Sequence, residues 1–440
     1  MTPPERKPRS PLERELLKKA ARYLPAGACN PGMSRETAMI VREARGSRIT
    51  DMSGNEYIDY LLGSGPMLLG HAHPHVVRAV RDQLELGSSY LLVSEPTVRL
   101  AEALVSAVPC AERVSLCNSG SEAVSYALRL ARAHRGRDKI LKFEGGYHGQ
   151  YDDVLMSNQW TREPAEHPRA VPNSLGIPRS VASEVVVAPY NDVEFATDLI
   201  GRRHDELAAV IVEPMQRTIP PRPGFLEGLR EVTAQHDVPL VFDEVVTGFR
   251  LAFGGAQEYY GVTPDLCALG KSISAGFPIG VICGREEIMS HAEAARQVTG
   301  GYVSITGTYS GNPLSCLAAL AAIEVLREEG VYDRLFARGR RLMSELQRML
   351  DRAGIRARVM GEPPAFQPWF TDGEVVDHRS ALACDPVRGM RLTALLLDRG
   401  VMKAHEKFFV SIAHSDEDIE RTLAAFESAV AELASANQPR

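Results

Sequence analysis

Between residue 97 and about residue 325, the sequence repeatedly sets a short run of β-branched and other apolar residues against a helix-spaced segment. The runs at 114–116, 140–143, 185–187, 209–212, 240–242 and 279–282 are read as strands with apolar residues on both faces. A sheet with one face in water would alternate apolar and polar residues, so these strands must be covered by helices on both sides. After the first run, Val124, Ala127, Leu128 and Ala131 recur at helical spacing. The pattern predicts an α/β fold built on a mostly parallel sheet.

A length of 440 residues leads one to expect two or three domains with a core that needs no covalent staples. The net charge of −6 argues against a nucleic-acid binder working through a basic surface. No apolar run approaches the roughly 18 residues that would span a bilayer, so no membrane partner is expected. The first 19 residues mix Pro, Arg, Lys and Glu and lack the apolar core of a secretory signal. The seven cysteines are scattered and form no C-x-x-C pair, which reads as reduced thiols in a cytoplasmic protein. The segment His71-Ala72-His73-Pro74-His75 places histidines at alternate positions. Pro74 breaks the strand that a metal site would need, and no metal is expected.

The texture changes near residue 325. In 331–352, Leu335, Leu342, Leu346, Met349 and Leu350 share one helix face, and Arg338, Arg341, Arg348 and Arg352 fall elsewhere as a solvated face. The last helix repeats Ile419, Leu423, Phe426, Val430 and Leu433, with Ser415 and Asp418 as its capping pair. Residues 326–440 read as a second, smaller domain. Near the amino terminus, 48–52 and 57–60 flank Ser53-Gly54-Asn55 as an antiparallel ribbon.

Chemistry concentrates at the ends of the predicted strands. Val241-Phe242 runs into Asp243-Glu244, and carboxylates at the carboxyl end of a parallel strand stand where α/β sheets bind ligands. Another apolar run, 266–269, ends in Gly270-Lys271, where a desolvated lysine serves as an amine nucleophile. A carboxylate together with such a lysine is what pyridoxal 5'-phosphate requires: the lysine forms the Schiff base and the acid keeps the pyridine nitrogen protonated. The turn Cys117-Asn118-Ser119-Gly120-Ser121-Glu122 precedes a helix and offers N–H groups and a hydroxyl to the phosphate. Gly145-Gly146-Tyr147-His148-Gly149 supplies an aromatic ring for stacking, and it is not the G-x-G-x-x-G of a dinucleotide site.

These segments, with Val245-Val246-Thr247-Gly248-Phe249-Arg250 and Gly307-Thr308-Tyr309-Ser310-Gly311-Asn312-Pro313, resemble the class III, ornithine-type aminotransferases of the fold-type I pyridoxal-phosphate enzymes. Within that family the chain is similar to the glutamate-1-semialdehyde 2,1-aminomutase-like subgroup, over nearly its whole length. The resemblance implies Lys271 as the Schiff-base lysine, Asp243 as the pyridinium partner, and Gly120 and Ser121 as phosphate ligands. Tyr147 and Val245 would face the ring, Glu213 would line the site, and Ser119 and His148 count among the cofactor contacts. Thr308 would reach the phosphate of a neighbouring subunit, which implies a homodimer with shared active sites. It also implies a seven-stranded large domain over 76–325, with 1–75 contributing to the small domain and the dimer interface.

Two reactions share these residues. A transaminase moves an amino group between a small-molecule amine and a keto acid or aldehyde, and an aminomutase performs both halves on one molecule. The segment 171–178 resembles the mobile lid of the aminomutase subgroup, and Glu406 stands where ornithine-type enzymes carry a carboxylate-clamping arginine. Lys403, His405 and Lys407 beside it read as solvated, with service to a carboxylate by one of them as the alternative. Arg35 is the candidate for the substrate carboxylate and reads equally as a surface arginine, with Arg217 and Arg222 as weaker candidates. Substrate-facing segments such as 212–224 diverge from the aminomutase. The reading is therefore a transaminase acting on a carboxylate-bearing amine, β- and other non-α amino acids included, with the aminomutase as the alternative. A non-catalytic cofactor-binding role is disfavoured by Lys271, Asp243 and Thr308 standing together.

Overall fold

The fully buried run Leu207–Val212 lies inside a seven-stranded sheet. In the computed structural model, which describes residues 6–25, 27, 38–158 and 165–435, the strands in chain order are β1 (Arg113–Cys117), β2 (Lys139–Phe143), β3 (Val185–Ala188), β4 (Leu207–Val212), β5 (Leu240–Asp243), β6 (Leu266–Leu269) and β7 (Gly280–Gly284). Their spatial order is β1-β7-β6-β5-β4-β2-β3. β7 runs antiparallel to both neighbours, and β2 to β6 pair in parallel. Arg35 lies outside the described residues.

Helix α1 (Gly120–Arg135) buries Ala123, Val124, Ala127, Leu128, Leu130 and Ala131 in one cluster with Ile140, Ile211, Val241 and Ile282 of the sheet. Each fully buried Val or Leu side chain stabilises the fold by roughly 1.5–3 kcal/mol. The helix is capped at both ends. Ser119 accepts from the Glu122 N–H, and Gly136 takes the left-handed conformation that closes the last turn.

The described chain divides into two compact units, His75–Tyr332 with Glu374–Ala383, and Met1–Pro74 with Asp333–Gly373 and Cys384–Arg440. The boundary thus falls seven residues past the predicted 325, and a short stretch assigned from sequence to the small domain returns to the large one. Arg379 in that stretch explains the return, because its guanidinium grips the buried Glu144 of the large unit at 2.8 and 3.2 Å.

In the smaller unit, the amino-terminal strands Val41–Arg45, Arg48–Asp51 and Glu56–Asp59 form the predicted ribbon, and Val401–Met402 joins its edge in parallel. The Asp51 carboxylate accepts from the Ser53 and Asn55 N–H groups and fixes the turn. Lys403, expected in solvent, is instead buried, and its Nζ donates to Thr393 Oγ1 at 3.0 Å and to the His405 carbonyl at 3.1 Å. Burial pulls its pKa down to about 7.

The final helix, Asp416–Ser435, carries the predicted capping box: Ser415 Oγ accepts from the Asp418 N–H, and Asp418 accepts from the Ser415 N–H at 3.0 Å. Asp418 also accepts from Ser47 Oγ at 2.7 Å and meets Arg48 at 2.5 Å, tying together segments some 370 residues apart. Burial by itself would raise this carboxyl, yet the bonds from Ser415 and Ser47 and the charge of Arg48 hold its pKa below the ordinary value. Asp418→Ala is expected to lower the unfolding free energy by about 2–4 kcal/mol, seen as a lower urea midpoint. Because the folded carboxyl is depressed, its stabilisation is present above the ordinary carboxyl range and is lost as pH falls through the lowered value. The gap between wild type and variant should therefore narrow in acid.

Candidate active site

Parallel strands end on one edge of a sheet, and β1 belongs with them because its antiparallel neighbour β7 reverses direction a second time before β6. The residues that follow β1, β2, β4, β5 and β6 therefore share that edge, and they include Ser119 to Ser121, Tyr147, Glu213, Asp243 and Lys271.

The two acids that end β5 have separate fates. Asp243 Oδ2 lies 2.8 Å from Nδ1 of the buried His148, and its other oxygen accepts from the Val245 N–H at 3.1 Å. His148 Nε2 is buried with no hydrogen-bond partner. Glu244, wholly buried, accepts from Thr247 Oγ1 and from the Ala256 and Gln257 N–H groups. Burial raises its pKa, and its place is structural. Strand alternation sends the neighbouring side chains to opposite faces.

After β6, Gly270 leads into Lys271, whose φ of 35° is in the sparsely populated left-handed region. Desolvation lowers the lysine's pKa. Asp243 and Glu213 oppose that shift, and Arg217 and Arg250 add to it. An amine held this way spends more of its time unprotonated and nucleophilic.

The loop after β2 is held from beneath. Lys142 is wholly buried, with its Nζ donating to the carbonyls of Gly146 at 2.9 Å, Val154 at 3.3 Å and Met156 at 2.5 Å. Burial brings its pKa to about 7. The Tyr147 N–H donates to Glu213 Oε2 at 3.0 Å, and its hydroxyl accepts from Gln150 at 2.7 Å. Lys142 has no role legible from its motif alone, although a lysine inside the apolar run Ile140-Leu141-Lys142-Phe143 is a visible signal of a buried charge.

At the β1–α1 turn, a side chain on Gly120 would stand 2.8 Å from both methyls of Val245, so only glycine lets the two segments approach. Ser121 Oγ accepts from the Gln150 N–H at 3.2 Å, and Asn118 Oδ1 is buried without a partner. The helix begins here with N–H groups free of intrahelical partners. Thr308 lies exposed in the turn before helix α2 (Pro313–Leu326), and that turn passes Asn118: a Cβ on Gly307 would stand 3.2 Å from its amide nitrogen. Glu406 belongs to the smaller unit, where its charge acts on Lys403. The lid-like segment 171–178 is largely exposed, with Leu175 fully so. Arg222 is exposed and paired with Glu374 at 3.0 Å. No group of side chains suited to a metal ion occurs among the described residues.

An amine with lowered pKa, a carboxylate braced by a buried imidazole, an aromatic ring and a helix N-terminus on one sheet edge fit pyridoxal phosphate. Its ring nitrogen needs an acid, its aldehyde an amine, and its phosphate an array of N–H donors. The open polar atoms of His148, Asn118 and Ser272 are compatible with a polar occupant. Fold and site together define a pyridoxal-phosphate-dependent enzyme of fold-type I. The family described as Aminotransferase class-III matches residues 31–430, and the chain belongs to it.

A glutamate-1-semialdehyde 2,1-aminomutase from Methanosphaera stadtmanae is 40% identical over 96% of this chain and 98% of its own length. An omega-transaminase from Sphaerobacter thermophilus superposes with a TM-score of 0.91 at 34% identity, over 98% of this chain and 99% of that one. A β-phenylalanine aminotransferase from Variovorax paradoxus gives 0.86 at 28% identity, over 98% and 96%.

Gly280 packs against the Ser119–Ser121 turn, and a Cβ there would come within 2.2 Å of the Ser119 carbonyl oxygen. Backbone must shift to admit it. Gly280→Ala is expected to weaken cofactor binding about tenfold or more with the far-ultraviolet circular dichroism unchanged, as read by titrating the apoprotein with pyridoxal phosphate.

Proposed function

We propose that the chain transfers an amino group between a carboxylate-bearing amine, β- and other non-α amino acids included, and a keto acid or aldehyde, with Lys271 as the catalytic residue. The observation that carries this is the desolvated Lys271 amine within the field of the His148-braced Asp243. When bound, pyridoxal phosphate supplies an electron sink for charge developing at the amine-bearing carbon. Lys271 would bind the cofactor covalently and then, released, take a proton from the substrate carbon and return one, as its lowered pKa allows. Asp243 would hold the proton on the ring nitrogen, and His148, bonded to Asp243, would keep that carboxylate oriented. Ser119, Gly120 and Ser121 would hold the phosphate, Thr308 would reach the phosphate of the neighbouring subunit, Tyr147 and Val245 would confine the ring, and Glu213 would line the site. Glu406 is kept as a substrate-side candidate.

Likeness to an omega-transaminase and to a β-phenylalanine aminotransferase supports an amino group away from the α position. The 40% identity to a curated glutamate-1-semialdehyde aminomutase favours a second reading, internal transfer on one molecule. A homodimer is supported by Leu84, Leu86, Tyr90, Leu91, Leu92 and Val93, which are all exposed, the last three at 78%, alongside the exposed Thr308 and Tyr309. An apolar stretch of that kind is covered in a stable protein, and a second copy is the symmetric way to do it. The buried cysteines, none of them in a disulfide among the described residues, accord with a cytoplasmic location.

Borohydride reduction followed by intact mass measurement should show the cofactor fixed to wild type and absent from Lys271→Ala; cofactor fixed equally to the variant would remove Lys271 from this role. Given glutamate 1-semialdehyde alone, formation of 5-aminolevulinate selects the aminomutase, and strict dependence on a separate keto acid selects the transaminase. Leu91→Asp with Leu92→Asp is expected to shift the sedimenting species from dimer to monomer. An unchanged species would remove this stretch from the interface.

A further inference from the structure

Several charged groups at the active edge have hydrogen-bond partners among the described residues. Asp243 has His148, Glu213 has the Tyr147 N–H, Glu144 has Arg379, and Lys142 has three carbonyls. Arg217 is different. Its guanidinium lies 5.1 Å from the centre of the Tyr147 ring, and its Nε and Nη2 are buried with no hydrogen-bond partner among the described residues. Its backbone has a φ of 62°, a conformation that glycine or asparagine adopts with less strain. An arginine at this position therefore bears both a strained backbone and unmet donors.

Nε and Nη2 form the side edge of the guanidinium, two parallel donors that match a planar anion. The same molecule shows what that edge takes: Arg379 holds the two oxygens of Glu144 through its own Nε and Nη2. Arg222, five residues further on, has no such vacancy, since Glu374 already pairs with it. The charge of Arg217 also bears on Lys271, whose amine it helps to keep unprotonated.

We propose that Arg217 is a substrate-binding, specificity-determining residue, its Nε–Nη2 edge receiving the carboxylate of the substrate beside Tyr147. The inference rests on the amino-transfer reading of the Lys271 site and names the residue that selects a carboxylate-bearing amine. The Tyr147 ring lies under the guanidinium at 5.1 Å, and binding of the anion supplies both missing acceptors at once.

The test uses cofactor-loaded full-length protein as wild type, Arg217→Asn and Arg217→Lys. Asparagine suits the left-handed backbone, so Arg217→Asn should melt no lower than wild type; lysine keeps the charge without the fork, and carries the test should the asparagine variant fail to fold. Succinate binding, measured by calorimetry, is expected to weaken about 10–100-fold in Arg217→Asn and by an intermediate factor in Arg217→Lys. The ratio of kcat/KM for 3-aminobutanoate over that for 2-aminopentane, in which an ethyl group replaces the carboxylate, should fall by a similar factor.

Equal succinate affinity in wild type and Arg217→Asn, or no binding by wild type, overturns the proposal. So does a loss of cofactor on dilution that parallels the loss of succinate, which would put Arg217 on the cofactor. If wild type binds succinate through Arg217 but moves no amino group from 3-aminobutanoate, the anion subsite stands and the β-amino-acid reading fails. If amino transfer occurs with its selectivity unchanged in both variants, the Arg217 assignment fails and the reaction stands.

Discussion

The direction of the strands is the constraint on which the site depends. Asp243 and Lys271 are 28 residues apart in sequence, yet β5 and β6 are parallel neighbours and each residue falls at or just past the end of its strand. The same edge receives the turn after β1 and the loops after β2 and β4. A sheet covered on both faces has few places for charge, and the carboxyl edge is the place where polar groups meet solvent and ligand together. Chemistry gathers there because the rest of the sheet cannot hold it.

Burying charge at that edge is costly unless each group finds a partner, and the large unit supplies partners from its backbone as well as from side chains. Lys142 is held by three carbonyls of the loop that presents Tyr147 and His148, so a buried cation organises that loop. Glu244 is held by two N–H groups and a hydroxyl. Burial would raise the Glu144 carboxyl, but the bonds from His167 and Arg379 outweigh it and bring its pKa down to about 2. That pair also draws residues 374–383 into the large unit, well away in sequence from the rest of it. Against this background Arg217 stands out, because its Nε and Nη2 have no acceptor among the described residues.

Most of the strands and the last two long helices were legible because they depend on short-range signals. Apolar runs with no alternation marked strands covered on both faces, and the Ser415–Asp418 spacing marked the final helix. Asp243 and Lys271 were legible because each follows such a run directly. Lys403 was misjudged as solvated because nothing near it in sequence indicates that the helix Pro386–Asp398 brings Thr393 against its ammonium. His148 could be assigned to the site but not to Asp243, since the bond between them spans 95 residues.

By itself the sequence determined which segments become strands and helices, where they stop, and which chemistry-bearing residues stand at their ends. Periodicity, capping and turn chemistry act over a few residues, so a linear reading captures them. The tertiary structure alone decided the partners: Val401–Met402 on the edge of the amino-terminal ribbon, Ser47 and Arg48 on Asp418, Arg379 on Glu144, and, among the described residues, no acceptor on the Nε–Nη2 edge of Arg217. Each of those outcomes follows from which distant surfaces are brought together and from the cost of leaving a buried polar group unpaired, and neither is a local property of the chain.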